Sequence, residues 1–261
     1  MAEESLARPF YTVLVLALVC SALVAGAAVL LRPLQESNQR IDQQKNILRA
    51  AGLYDPKKDV DEQFKVIRTQ VVDLNSGAFV PPEQISPDSF DQRKAALDST
   101  LGTALNKTND LAGLGRQERY SLVYLVERNQ RVEQVILPIR GKGLWSTMYA
   151  YVALEADLNT IRGISFYAHG ETPGLGGEIE NKQWQESWRG KAIYGPDHGV
   201  ALKVVKGRAA DQGPMAPYQI DGLSGASMTG AGVSNLLRFW FGDHGFKPFI
   251  QRMQAQGGLN G

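Results

Sequence analysis

The sequence predicts an α+β protein: a single N-terminal transmembrane helix followed by a mixed, mostly antiparallel sheet domain with packed helices. Three features predict this architecture: an uncharged apolar segment at residues 10–31, short β-rich segments after residue 120, and an amphipathic helical pattern near the C-terminus. The composition is globular, with 43% hydrophobic and 21% charged residues. It excludes a disordered tail, a collagen and a disulfide miniprotein.

Charge and cysteine content narrow the classes of function. The chain carries 28 Lys and Arg against 27 Asp and Glu, so its net charge of +1 does not indicate a protein that binds nucleic acid through phosphate contacts. The single cysteine, Cys20, cannot form an internal disulfide, a zinc cluster or an iron–sulfur centre within this chain. Any redox chemistry therefore requires a cofactor that cysteine does not hold.

The apolar segment at residues 10–31, FYTVLVLALVCSALVAGAAVLL, predicts a membrane anchor. As a helix it reaches about 33 Å, enough to cross a hydrocarbon core of about 30 Å. A cleavable signal peptide usually has a shorter apolar stretch, of about 7 to 15 residues, so a retained anchor is favoured. The small residues before Arg32 leave cleavage open as the alternative.

The orientation of this anchor is not decided by the charges beside it. Arg8 precedes the segment, and more positive side chains follow it: Arg32, Arg40, Lys45 and Arg49. Taken alone, this count places the C-terminal part in the cytoplasm. A long domain can be translocated largely regardless of such charges, so the count is weak evidence.

The next part of the chain is polar. Residues 35–52 predict a helical stalk that continues from the anchor and ends with Gly52 as its C-cap. Residues 61–75 predict a second helix, or a helix followed by a strand. Residues 75–82, NSGAFVPP, indicate a loop, and residues 82–115 an irregular polar insertion.

From residue 120 the pattern changes to short β-rich segments separated by turn residues, which predict six strands. Their sequences are SLVYLVER, QVILPIRG, MYAYVALEA, TIRGISFYAH, AIYGPDHGVALKVV and APYQIDG. Residues 184–188 suit a short helix. Residues 230–246 predict a longer one, because apolar residues there follow helical spacing: Val233, Leu236, Leu237, Trp240 and Phe241.

The loop at residues 221–230, DGLSGASMTG, is the first candidate site. It joins a strand end to the apolar helix, and its hydroxyls, glycines and positive helix end suit a phosphate. An ordinary helix cap, with Ser227 or Thr229 accepting from the first turn, is the alternative. The loop lacks the lysine of a Walker A motif, and Ala226 replaces the second glycine of a nucleophile elbow.

Two further loops are candidates. Residues 169–178, HGETPGLGGE, contain four glycines, which permit a flat ligand to approach the backbone; an irregular turn is the alternative, because the dinucleotide fingerprint is incomplete. In residues 141–147, GKGLWST, an exposed Trp145 would cover a ring, whereas a tryptophan at the start of a strand often belongs to the core.

The remaining polar residues predict no catalytic or metal centre. The histidines lack ligand spacing for a metal: His169, His198 and His244. Asp243 and His244 are adjacent, so their side chains normally point apart, which argues against a Ser–His–Asp hydrolase. The acidic residues in and just after the glycine-rich loop at 169–178 are predicted to be solvated loop charges: Glu171, Glu178 and Glu180.

Residues 221–227, DGLSGAS, resemble the flavinylation motif of the FMN-binding domain family, Asp-Gly-x-Ser/Thr-Gly-Ala-Thr. The likeness extends to the anchor and to residues 141–154, 169–179 and 239–249. Over nearly its full length the chain is similar to the C subunits of Na⁺-translocating NADH:quinone reductases. The G subunits of Rnf-type electron transport complexes share the motif and anchor, and are the alternative within the family.

The resemblance implies an FMN joined through its phosphate to a hydroxyl side chain by a flavin transferase that uses FAD as donor. Position by position, the acceptor is Ser227, where the family usually has threonine. Thr229 is the alternative acceptor, and an unmodified chain is the third outcome. Asp221 matches the acidic residue needed for modification, and the motif supplies four further cofactor-binding residues: Gly222, Ser224, Gly225 and Ala226.

By the same resemblance, six residues of the other two loops contact the isoalloxazine ring: Leu144, Trp145, Ser146, Thr172, Leu175 and Gly176. The chain then divides into a short tail (1–9), the anchor (10–31), a stalk and N-terminal part of the extracytoplasmic domain (32–119), and the FMN-binding domain (120–261). The chain needs no general base, because it carries electrons and is not catalytic alone.

The resemblance also implies a place in a six-subunit complex of the bacterial inner membrane, with the C-terminal domain in the periplasm. Its partners would be the subunits carrying FAD and an iron–sulfur centre, and the FMN-bearing B subunit, which passes electrons to quinone. A membrane-anchored extracytoplasmic module without redox function is the alternative from another class. A serine hydrolase using Ser224 or Ser227 ranks third.

Overall fold

The computed structural model describes residues 7–259. Residues 1–6 of the predicted tail (1–9) and residues 260–261 of the predicted C-terminal domain lie outside the described residues. The chain divides into two compact units, Met1–Gln43 and Gln44–Gly261.

Helix α1 (Ala7–Ala50) contains the predicted anchor and the predicted stalk in one element. From Pro9 onward it is long and apolar enough to cross a membrane, by length and composition. Every residue from 10 to 31 is exposed, as a lipid-facing segment requires. Pro33 lies inside the helix, just after this segment, and removes one backbone hydrogen bond there.

The predicted C-cap at Gly52 is confirmed. Gly52 has a φ of +68°, and its N–H donates to the Arg49 carbonyl at 3.0 Å. The Leu53 N–H donates to the Leu48 carbonyl at 2.8 Å. These two bonds form a Schellman motif, which ends the helix.

After α1 the described chain contains ten strands and five further α-helices, and β3 to β8 follow one another without an intervening helix. The strands are β1 (Ile67–Asp73), β2 (Phe79–Val80), β3 (Gly102–Ala104), β4 (Arg116–Glu118), β5 (Tyr120–Arg128), β6 (Arg131–Lys142), β7 (Thr147–Glu155), β8 (Ile161–Ala168), β9 (Lys203–Val204) and β10 (Gln219–Ile220). The helices are α2 (Val60–Phe64), α3 (Gln92–Leu97), α4 (Lys182–Glu186), α5 (Ser227–Trp240) and α6 (Lys247–Ala255), with short 3₁₀ helices at Gly176–Glu180 and Ala216–Tyr218.

The main sheet has six antiparallel strands in the order β2-β1-β5-β6-β7-β8. Strands β9 and β10 form a separate parallel pair, so the predicted mixed, mostly antiparallel architecture is confirmed. Strand β5 is buried on both faces. Val123 and Leu125 enter one core with α5 and α6, whereas Tyr124 and Val126 enter a second core with the end of α1.

Several predicted boundaries change. The first four predicted strands after residue 120 are β5 to β8, but the last two shrink to β9 and β10. Two glycines and one proline interrupt the fifth segment, and a 3₁₀ helix takes up the start of the sixth. Residues 61–75 form a helix and then strand β1, as one alternative predicted. Within the predicted loop at 75–82, Phe79–Val80 pairs with β1 as an edge strand. The insertion at 82–115 is mostly irregular but contains α3 and β3.

The predicted helix at residues 230–246 is wrong at both ends. Helix α5 begins at Ser227 and ends at Trp240, and a turn follows. A side chain at Gly245 would place its Cβ 2.1 Å from the Trp240 carbonyl oxygen, so the chain turns there only with glycine. Helix α6 was not predicted; it carries Pro248 in its first turn.

Candidate functional site

The three candidate loops meet around one side chain, Glu171. One carboxylate oxygen, Oε1, accepts from the backbone N–H groups of Trp145 at 2.9 Å and Ser146 at 3.3 Å. The other, Oε2, accepts from the N–H of Leu144 at 3.1 Å and from the hydroxyl of Thr229 at 2.6 Å. Glu171 therefore joins the glycine-rich loop (residues 169–178) to the tryptophan loop (residues 141–147) and to the first turn of α5.

The prediction that Glu171 is a solvated loop charge is wrong, because only 4% of the residue is exposed. Two effects on the pKa of its carboxyl oppose each other, and burial alone would raise it. The hydrogen bonds from Thr229 and from the three backbone N–H groups stabilise the charged form more strongly, so the pKa lies below its ordinary value. The carboxylate is therefore ionised at neutral pH.

Glycines permit this close meeting of loops. A Cβ at Gly143 would lie 2.5 Å from Glu171 Oε1, and a Cβ at Gly176 would lie 2.5 Å from Thr229 Oγ1. A Cβ at Gly225 would lie 2.9 Å from Leu175, and φ at Gly225 is +68°. The glycine-rich loop and the loop at residues 221–230, called the motif loop below, thus approach within distances that only glycine allows.

The two candidate acceptor hydroxyls differ in exposure. Ser227 is the first residue of α5 and is exposed, whereas Thr229 is 1% exposed and donates to Glu171. Neither residue caps the helix: the N-cap is Ala226, which makes no side-chain cap hydrogen bond. The helix-cap alternative is therefore wrong. The first N–H groups of a helix lack intrahelical partners, so this end suits an anion.

A cavity of about 170 Å³ lies beside Ser227. It is lined by residues 204–207 on one side and by the motif loop and α5 on the other, and Lys206 is among its lining residues. The Gly222 N–H donates to the Gly207 carbonyl at 2.6 Å, and a Cβ at Gly222 would lie 2.4 Å from the Val205 carbonyl oxygen. Glycine at position 222 therefore allows the two segments to pack together.

Asp221 holds the start of the motif loop. Its Oδ1 accepts from the Ala209 N–H at 2.6 Å, and its carbonyl accepts from the Trp184 indole N–H at 2.9 Å. The Asp221 carboxylate thus holds Ala209, which closely follows residues 204–207 in the wall of the cavity beside Ser227. Of the other motif residues, Ser224 is exposed and Ala226 is buried.

Large apolar side chains remain exposed around these loops. Trp145 is 69% exposed and Met228 is 66% exposed, and Leu144 and Leu175 are also exposed. The alternative that Trp145 belongs to the core is therefore wrong. The Ser146 hydroxyl accepts from the Gly170 N–H at 2.5 Å. These exposed apolar side chains lie on loops that Glu171 joins, which makes the loops a candidate binding surface.

The remaining predicted ring contact, Thr172, is exposed and shapes the glycine-rich loop through its backbone. Its carbonyl accepts from the N–H groups of Leu175 at 3.1 Å and Gly177 at 2.9 Å. Three residues at these loops or beside Ser227 were not predicted as candidate site residues: Glu171, Lys206 and Met228. Within residues 7–259, no group of three or more His, Cys, Asp and Glu side chains is arranged to hold a metal ion.

Comparison with known proteins places this geometry in a family. The sequence profile of the FMN-binding domain family matches residues 143–242, which include all or most of the three loops. The chain is 45% identical to the C subunit of the Na⁺-translocating NADH-quinone reductase of Pseudomonas aeruginosa, over 97% of each chain. The chain belongs to the family of these C subunits.

Further relatives agree. The C subunit of the Vibrio alginolyticus enzyme is 43% identical, over 99% of this chain and 98% of its own. The crystal structure of Shewanella oneidensis NqrC superposes with a TM-score of 0.77 at 31% identity, and the match covers 84% of this chain and 99% of that one. This C subunit thus shares both sequence and fold with its family.

Proposed function

We propose that this C subunit carries electrons within a Na⁺-translocating NADH:quinone reductase, through an FMN attached by a phosphoester to Ser227. The observation that supports this acceptor most directly is the contrast between the two hydroxyls of α5. The Ser227 hydroxyl is open to an incoming group. The Thr229 hydroxyl is buried and donates to a carboxylate.

The site fits an FMN. Its phosphate requires donors and positive charge. The start of α5, which has no side-chain cap, offers N–H groups, and Lys206 lines the same cavity as Ser227. Its ring requires an accessible apolar surface, and exposed apolar side chains lie on the joined loops: Leu144, Trp145, Leu175 and Met228. Ser146, Thr172 and Gly176 complete the set of ring contacts that we propose.

The attachment is a phosphoryl-type transfer in which Ser227 Oγ forms a new bond to the flavin-side phosphorus of FAD. The bond from that phosphorus to the bridging oxygen breaks, AMP leaves with that oxygen, and the serine proton is released. The chain gains the mass of FMN minus water. A flavin transferase supplies the catalytic groups, so Asp221 and its neighbours need only present Ser227 in the correct geometry.

Bound FMN supplies electron transfer, and the protein tunes it by burial, hydrogen bonds and nearby charge. In this chain the joined loops would hold the ring, and the motif loop would hold the phosphate within the domain at residues 120–261. A covalent link keeps the carrier from dissociating between reduction and oxidation.

We propose that α1 anchors the chain in a bacterial inner membrane with the FMN-binding domain in the periplasm. The apolar, exposed segment at residues 10–31 supports the anchor. Its partners would be the other subunits of the complex: those that carry FAD and an iron–sulfur centre, and the FMN-bearing B subunit on the path to quinone.

The test is the intact mass and visible spectrum of the full chain, produced with a flavin transferase and purified in detergent. We expect an added mass of FMN minus water and a yellow protein. Ser227→Thr, which restores the usual residue of the family, serves as the matched control and keeps both signals, whereas Ser227→Ala loses both. A colourless wild-type chain without the added mass contradicts the proposal.

A further inference from the structure

A single buried carboxylate connects the two halves of the proposed flavin site. Glu171 lies in the glycine-rich loop, yet its partners lie in the other two loops. Each carboxylate oxygen accepts two hydrogen bonds. Through both carboxylate oxygens, the side chain connects residues 144–146, just before β7, to the first turn of α5.

The contacts of Glu171 are directed at the residues that the site would use. Three consecutive backbone N–H groups, at residues 144–146, point to the carboxylate. This arrangement orients the peptide units that carry the exposed Leu144 and Trp145. The fourth donor, Thr229, lies two residues after Ser227 in the same helical turn. A shift of the carboxylate would therefore move residues 144–146 relative to Ser227.

From this geometry we infer that Glu171 is a positioning residue that aligns the ring-contacting loop at residues 144–146 with the attachment hydroxyl of Ser227. The inference rests on the proposed function. The role is to hold two surfaces in register before and after the FMN is attached. Glu171 forms no bond to the transferred group, and Thr229 acts as its anchor on α5.

The surrounding glycines support a fixed geometry. Gly143 lies against Oε1 of Glu171, and Gly176 lies against Oε2 and the Thr229 hydroxyl. Neither position has room for a Cβ. The Glu171 N–H also donates to His169 Nδ1 at 3.1 Å, which fixes the backbone that carries the carboxylate. A residue held in this way has little freedom to relax when one of its partners changes.

The sharpest variant is Glu171→Gln, which keeps size and shape but replaces one acceptor oxygen by a donor. An amide can satisfy Trp145 and Ser146 with its oxygen, and its NH₂ can donate to Thr229. The Leu144 N–H then faces a donor and loses its partner. The matched control is Glu178→Gln, the same change in the same loop at a side chain that accepts from Asn181.

Two Thr229 variants isolate the other end of the contact. Thr229→Val keeps the volume and removes the hydroxyl, whereas Thr229→Ser keeps the hydroxyl. Flavin-free full chain in detergent is incubated with a flavin transferase and FAD, and the rate of mass addition is measured. We expect Glu171→Gln and Thr229→Val to slow the addition by about tenfold or more, because misplacement of reacting groups is costly. Glu178→Gln and Thr229→Ser are expected to match the wild type.

A second readout separates positioning from general stability. After complete attachment, the midpoint potential of the flavin is measured for each variant by spectroelectrochemical titration. Loss of a negative charge beside the ring loop makes the reduced flavin easier to form, so Glu171→Gln is expected to raise the potential. Glu178→Gln is expected to leave it unchanged. If Glu171→Gln does not fold, Thr229→Val with Thr229→Ser as its control decides by the rate alone.

The outcomes are distinct. Slower attachment and a raised potential in Glu171→Gln support the inference. Behaviour like that of Glu178→Gln in either measurement overturns it while the proposed function stands. A wild-type chain that accepts no FMN overturns the proposed function, and the inference with it.

Discussion

Two buried glutamates of this domain are stabilised in different ways. Glu118, at the end of β4, forms two hydrogen bonds with the Arg140 guanidinium, at 2.7 and 2.5 Å. The four donors to Glu171 are neutral N–H and O–H groups. Glu118 therefore belongs to a charge-neutral pair within the scaffold, whereas Glu171 is an anion held by dipoles at the site. Burial alone thus does not identify a functional carboxylate.

The largest expected effect comes from breaking the ion pair between Glu118 and Arg140. Arg140→Ala leaves Glu118 buried without its cation and is expected to lower the free energy of unfolding by about 3–5 kcal/mol. Chemical denaturation of the full chain in detergent measures the change. Arg162→Ala, which breaks the more exposed pair with Glu155, is expected to cost at most about 1 kcal/mol. Equal losses for the two variants would contradict the assignment of Glu118 to a buried pair.

The next effect tests the packing around the site carboxylate. Gly176→Ala places a Cβ against Thr229 Oγ1 and Glu171, so we expect a loss of about 1–3 kcal/mol in unfolding free energy and slower FMN attachment. In the control, Gly199→Ala, the nearest atoms to the new Cβ are those of the Asp197 carboxylate, at 3.2 Å or more, and little change is expected. Normal attachment in Gly176→Ala would show that the loops need not meet so closely.

The charge of Glu171 gives a pH-dependent prediction. Because its pKa is lower in the folded chain than in the unfolded chain, its stabilising contribution is present above the ordinary glutamate range and is lost as pH falls through the folded value. At pH 7, Glu171→Gln is expected to cost about 1–3 kcal/mol, because one buried N–H loses its acceptor. Denaturation at pH 7 and at pH 3 should show a smaller difference from wild type at pH 3. A difference that grows on acidification would contradict this role of the charge.

The smallest effect on stability is expected at the exposed surface of the site. Trp145→Ala removes a side chain that is mostly outside the core, so the unfolding free energy should change by less than about 0.5 kcal/mol. The visible spectrum of the attached flavin should change, because a proposed ring contact is lost. A large loss of stability with an unchanged flavin spectrum would place Trp145 in the scaffold instead.

The sequence predicted much of the fold because its signals are local. The anchor, the Gly52 cap and strands β5 to β8 follow from hydropathy, a glycine position and β-rich segments. The sequence did not predict the pairing of β1 with β5 or the end of α5 at Trp240. These depend on contacts between distant segments and on the tight turn at Gly245.

The site was predicted unevenly for a related reason. The glycines, hydroxyls and tryptophan of the three loops made them candidates, the resemblance to the family motif gave their residues roles, and the structure brings the loops together. Glu171 was missed, because a glutamate among glycines has the same local pattern whether it is solvated or buried. Its role depends on Thr229, 58 positions away in the chain. The flanking glycines, which leave room for the carboxylate, are the signal that could have indicated it.

The central claim is that the exposed Ser227 hydroxyl, and not the buried Thr229 hydroxyl, carries the FMN. The most direct measurement is fragmentation mass spectrometry of the peptide that spans residues 221–230, taken from full chain produced with a flavin transferase. We expect fragments in which the mass of FMN minus water is on Ser227 and Thr229 is unmodified. The same mass on Thr229, or an unmodified peptide, would contradict the claim.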